Sequence, residues 1–160
     1  MTDRAPSVVV FAIDQPPDAI VTSPLSQSLL RRYLDAGGKV VWSGKPPLIF
    51  PMNLETGKFP PITAMAWPAP NELLGVSHDA AIFDMRGVRA TPGSTSLGLP
   101  ARWHDSWSVS PAGVTTVLGT DEWGLAVAWI KRYGGPPGTG FVRVPGDDPM
   151  VIYEAAESIR

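Results

Sequence analysis

Cysteine is missing from this 160-residue chain, and histidine occurs only twice. The first absence removes disulfides, thiolate metal sites and any cysteine nucleophile. The second leaves His78 and His104 as the whole imidazole supply, and neither stands in an i, i+4 helical metal motif. Charge is sparse as well: charged residues make up 18% of the chain and the formal net charge is −2. Arg31-Arg32 and Lys131-Arg132 are isolated basic pairs within apolar segments, whereas a nucleic-acid footprint needs a basic patch. No charged-then-apolar leader precedes Val8, and no apolar run nears the roughly 18 residues of a membrane helix. The expectation is a cytoplasmic domain with no nucleic-acid or membrane partner, no metal and no cofactor.

Apolar residues are plentiful at 44%, enough for a buried core in one domain over 1–160, whole in itself or part of a longer chain. Eighteen prolines and sixteen glycines mark a loop-rich chain with few long elements. The run SVVVFAI, Ser7 to Ile13, has the pattern of a strand covered on both faces. Ser23 and Pro24 form an N-cap and first turn, and Leu25, Leu29, Leu30, Tyr33 and Leu34 then fall on one helical stripe. Gly37-Gly38 stop that helix, and Lys39 to Trp42 form a second strand. Strand, crossover helix and strand make a βαβ unit, so the two strands should be parallel. The stretch from Pro46 to Pro70 carries seven prolines and reads as a surface excursion, with a short helix near Asn71 to Leu74. Ala80 to Phe83, Gly87 to Ala90 and Val114 to Leu118 read as strands. Leu125 to Tyr133 and Phe141 to Val144 flank GGPPGTG and read as a hairpin. Asp148-Pro149 opens a closing helix with Ile152, Ala155, Ala156 and Ile159 on its apolar face.

Two stretches carry a resemblance: YLDAGGKVVWSG (Tyr33 to Gly44) and DEWGLAVAWIKRYGGPPGTGFVRV (Asp121 to Val144). They resemble the class I glutamine amidotransferase-like superfamily, above all its non-amidotransferase branches, the trehalose-utilisation-type domains and the trimerisation domains of some β-galactosidases. The resemblance implies an α/β fold: a small parallel sheet, mixed at one edge and flanked by helices in the flavodoxin-like manner, with a C-terminal β-hairpin and helix. Active amidotransferases place a cysteine on a tight elbow after the central strand. Here that strand ends Val41-Trp42-Ser43-Gly44-Lys45, and Pro46-Pro47 follow where helix N–H groups would stabilise an oxyanion. The activity therefore does not carry over. No βα unit precedes the first strand, which leaves an open sheet edge for a second copy or a neighbouring domain.

Ligands in open α/β sheets bind beyond the carboxyl ends of the strands, which singles out Asp14, Ser43 and Gly44. ARWHDSWSVS, Ala101 to Ser110, is the richest stretch chemically. If it is extended, Trp103, Asp105 and Trp107 share one face and His104 takes the other. Two indoles could stack a sugar while Asp105 accepts its hydrogen bonds; the competing reading is a loop pinned to the core by its tryptophans. Glu122 offers one more carboxylate at a turn. His78-Asp79 is a second His-Asp pair, too little for a metal centre. The leading expectation is a non-catalytic domain that binds a small molecule or carbohydrate, or serves in assembly. The alternative is a hydrolase of a glycan or small polar substrate. It would use Ser43 as nucleophile or an acid/base pair drawn from Asp14, Asp84, His104, Asp105 and Glu122.

Overall fold

The computed structural model describes residues 7–12, 15–44, 47–48, 51–58, 68–78 and 85–146. Strands β1 (Val8–Phe11) and β2 (Lys39–Ser43) are parallel, joined through helix α1 (Leu29–Asp35). Helix α2 (Pro68–Leu74) follows the proline-rich excursion. The rest of the described chain is β3 (Arg86–Ala90), β4 (Arg102–Asp105), β5 (Thr116–Asp121), β6 (Ala126–Lys131) and β7 (Gly140–Val144). All seven strands form one sheet in the order β1-β2-β7-β6-β5-β3-β4, curled into a half-barrel.

This overturns the expected flavodoxin-like α/β fold. Only the β1-β2 and β2-β7 pairs are parallel, and the other four are antiparallel. Two α-helices are present among the described residues, so the sheet is not sandwiched between helical layers. The physical reason is visible in β3, whose residues alternate between buried and exposed from Arg86 to Arg89. Such alternation belongs to an antiparallel strand with one solvated face; a parallel strand under helices is apolar throughout.

The βαβ unit itself forms, with two differences. The strand expected to be covered on both faces lies at the sheet edge, and Val8, Val9 and Val10 are 40%, 38% and 46% exposed. The helix starts later than expected. Leu25–Gln27 is a single 3-10 turn, and Ser28, not Ser23, is the N-cap, its hydroxyl accepting from Arg31 N at 3.3 Å. Leu30 and Leu34 enter the core while Leu29 stays exposed. Gly37 then ends the helix at φ +83°, a left-handed conformation that glycine adopts without strain. The hairpin around GGPPGTG forms as β6 and β7. The expected strand at Ala80 to Phe83 and the closing helix lie outside the described residues.

Two apolar clusters hold the sheet. One packs Leu30, Leu34, Leu73 and Leu74 against Val40, Trp42, Trp129 and Phe141. The other gathers Val41, Val142, Val144, Ala128, Leu118 and Leu99, with Trp103 at its margin. Trp103 lies across Gly119, where any side chain would overlap the indole. No helix among the described residues is long and apolar enough to cross a membrane.

Candidate functional site

The strand directions set one end of the sheet apart. The carboxyl ends of β2, β4, β5 and β7 meet there with the amino ends of β3 and β6. Its hub is Arg143, fully buried on β7. One guanidinium nitrogen donates to the carbonyl of Val127; the other donates to Gly44 O at 3.2 Å, Ser106 O at 3.3 Å and Asp105 Oδ1 at 3.0 Å. Asp105 and Arg143 belong to strands four positions apart in the sheet, so this ion pair closes the curl. Beyond Asp105 the chain crosses that end and pairs at Val109 with both Ala126 and His78.

Ser43 and Gly44 thus have structural work at the strand end. Ser43 Oγ donates to Pro145 O at 3.1 Å and is buried, and Gly44 supplies a carbonyl to Arg143. Among the described residues no imidazole or carboxylate hydrogen-bonds to Ser43. Trp107 sits at φ +76° and is 6% exposed, so the extended face expected to continue from Trp103 through Trp107 breaks there. Its indole anchors the crossing segment and is closed to a ligand. Asp14, Asp79 and Asp84 lie outside the described residues.

His78 is held beside this hub. Its backbone N–H donates to Asn71 Oδ1 at 3.2 Å, and its ring Nδ1 lies 2.6 Å from the same oxygen. An amide oxygen only accepts, so Nδ1 carries the proton in the neutral ring. Burial, and secondarily the Arg143 charge, lowers its pKa from 6.5 to about 4. Between those values the unfolded chain binds more protons than the folded one, so stability should fall as the pH drops through that window. The loss approaches about 3 kcal/mol at its acid end. Urea midpoints measured from pH 7 to 4 should show this slope in the wild type and a flatter one in His78→Gln. Equal slopes would mean that the imidazole takes its proton freely in the fold.

A second feature lies on the wing built by β3, β4 and β5. Here a groove of about 630 Å³ is lined by Arg89, Arg102, Trp103, His104, Thr120 and Glu122, among others. Register explains the gathering: Gly87 faces His104 across the β3-β4 pair, and Arg89 faces Arg102 there and Thr120 on β5. These side chains stand on the solvated face, opposite Val88. On the buried face of β3, Arg86 donates to Asp121 Oδ2 at 3.0 Å and Ser108 Oγ at 3.3 Å. The same guanidinium stacks on Trp123, 3.5 Å from the ring centroid.

The structure therefore separates the candidate residues into two sets. His104 and Glu122 share the groove, Trp103 lines its edge with the indole turned to the apolar face across Gly119, and Ser43, Gly44 and Asp105 belong to the Arg143 hub. On β4, His104 and Asp105 point to opposite faces. Sequence reasoning missed Arg143, Arg86, Arg89 and Arg102. Arg143 had a signal, a lone cation inside the apolar strand run GFVRV, since a charge in such a run must be paired when buried. Arg89 and Arg102 had none without the strand register.

A family model matches residues 1–154. The chain belongs to the MJECL34 family. No curated protein matches the sequence. Among solved structures, the cold-adapted β-galactosidase from Rahnella sp. R3 matches with a TM-score of 0.52 and 15% identity. The match covers 95% of this chain but only 22% of that enzyme, and at this identity it establishes a shared fold alone. The expected likeness to a part of a β-galactosidase thus has a structural counterpart, while neither match names the amidotransferase-like superfamily.

Proposed function

We propose that this member of the MJECL34 family is a non-catalytic binding domain. Its groove between β3, β4 and β5 takes a saccharide or a comparably hydroxylated small molecule. The observation that carries this reading is the convergence of Arg89, Arg102, His104 and Glu122 on one cavity of about 630 Å³, within the range of small-ligand sites. Guanidinium and imidazole donors facing a carboxylate acceptor suit the hydroxyls of a sugar ring. The matched β-galactosidase is named for a sugar substrate, and the shared fold lends weight to that ligand class. The lack of catalysis is argued from the engaged groups: Ser43 Oγ is bound to Pro145 O, and Asp105 is paired with Arg143.

Titration of a panel of neutral and acidic saccharides against intrinsic tryptophan fluorescence should give a saturable response that is weakened at least tenfold in Glu122→Ala. A flat response across the panel overturns binding, and turnover of an aryl glycoside overturns the non-catalytic part. Assembly is the second reading, favoured by the three exposed valines of β1 at the sheet edge; it requires a mass by light scattering well above the 17.1 kDa of one chain.

A further inference from the structure

We propose that Arg89 and Arg102 form an oxyanion subsite within the groove, so that the ligand is an acidic saccharide carrying a carboxylate or phosphate. This rests on the groove reading above and names the ligand class more narrowly. The register places Arg89 directly opposite Arg102 in the antiparallel β3-β4 pair. Opposed side chains there stand about 5 Å apart at Cβ, and like charges in that position repel. The less exposed arginines of the fold are neutralised, Arg31 by Asp35, Arg86 by Asp121 and Arg143 by Asp105, whereas the exposed Arg32 and Arg132 are unpaired among the described residues. What sets Arg89 and Arg102 apart is that they face each other in a cavity. Among the described residues, Arg89 and Arg102 have neither an ion pair nor a hydrogen-bond partner. A fold that pairs its buried arginines and leaves two exposed ones face to face in a cavity holds a site for an external anion. Two guanidinium forks match the planar or tetrahedral oxygens of such a group.

The rest of the groove gives the ligand its direction. His104 follows Arg102 by two positions on the same face, about 7 Å further along the strand. It stands opposite Gly87, above which there is open space. Glu122 shares the cavity and, as a carboxylate, repels an anion but accepts from hydroxyls. The acidic group therefore sits on the arginine rung and the hydroxylated ring over Gly87, between His104 and Glu122.

Calorimetric titration at low salt with glucose, glucuronate, glucose 6-phosphate and inorganic phosphate tests this. Glucuronate or glucose 6-phosphate should bind at least tenfold tighter than glucose, and whichever binds tighter distinguishes carboxylate from phosphate. Arg102→Ala should erase that preference, with Arg89→Gln as the second variant. Both positions are exposed, so the variants should melt no lower than the wild type. Equal affinity for glucose and the two acidic sugars, unchanged in the variants, overturns the subsite while leaving the groove as a saccharide site. Inorganic phosphate binding as tightly as glucose 6-phosphate overturns the acidic-saccharide assignment. Silence from all four probes overturns both.

Discussion

Asp121→Ala is expected to lower the unfolding free energy by about 3–5 kcal/mol, the usual consequence of breaking a buried ion pair from one side. The Asp121 carboxylate is fully shielded and the Arg86 side chain is 5% exposed. Oδ2 neutralises Arg86, while Oδ1 accepts from the backbone N–H of Trp123 at 3.0 Å and of Leu125 at 2.9 Å. Alanine would strand the guanidinium without its counter-charge and release the turn between β5 and β6. Replacing both members, Arg86→Met with Asp121→Leu, should recover most of the ion-pair part, because apolar side chains carry no desolvation penalty. The two turn hydrogen bonds would remain lost. Urea unfolding followed by circular dichroism measures all three proteins. If the single variant lost under 1 kcal/mol, the pair would have to be solvated.

The part of the fold that the sequence revealed is the part whose signals are contiguous. In β1-α1-β2, an apolar run, a helical stripe, a glycine stop and a second apolar run follow one another, and Val8–Phe11 does pair in parallel with Lys39–Trp42. Extending that local pattern to the whole chain produced the wrong fold class. Gly87 to Ala90 reads as a strand and lies within β3, whereas ARWHD carries only Ala101 and Trp103 as apolar residues, so propensity alone cannot separate it from a loop. Both are strands because β5 and the curl of the sheet give Val88 and Trp103 something to cover. The candidate site divides the same way. His104 and Glu122 were legible as chemistry-bearing residues, and tertiary structure brings them to one groove, while Trp103 turns its indole to the apolar face. For Trp107, the reading of a loop pinned to the core by its tryptophans agrees with a buried indole, while the alternative of an extended ligand-facing strand breaks at its positive φ.

Trp42→Ala should be the most damaging apolar substitution in the described core. Trp42 is wholly buried and lies between Phe11, 5.1 Å away between ring centroids, and Phe141, 6.2 Å away; Phe141 in turn meets Trp129 at 5.4 Å. These four rings tie β1 and β2 to β7 and β6, the strands whose ends surround Arg143. Removing an indole from such a position costs about 3–5 kcal/mol in lost transfer energy and residual cavity. Trp42→Phe keeps a ring in the stack and should cost markedly less. The damage should also be uneven. β1 is an exposed edge strand whose inward aromatic contact is Phe11 on Trp42, so its amides should lose hydrogen-exchange protection before those of β6 and β7. Uniform loss across all four strands would mean that the sheet opens as one unit. Preserved protection in β1 would mean that pairing with β2, without the ring contact, is enough to hold the edge.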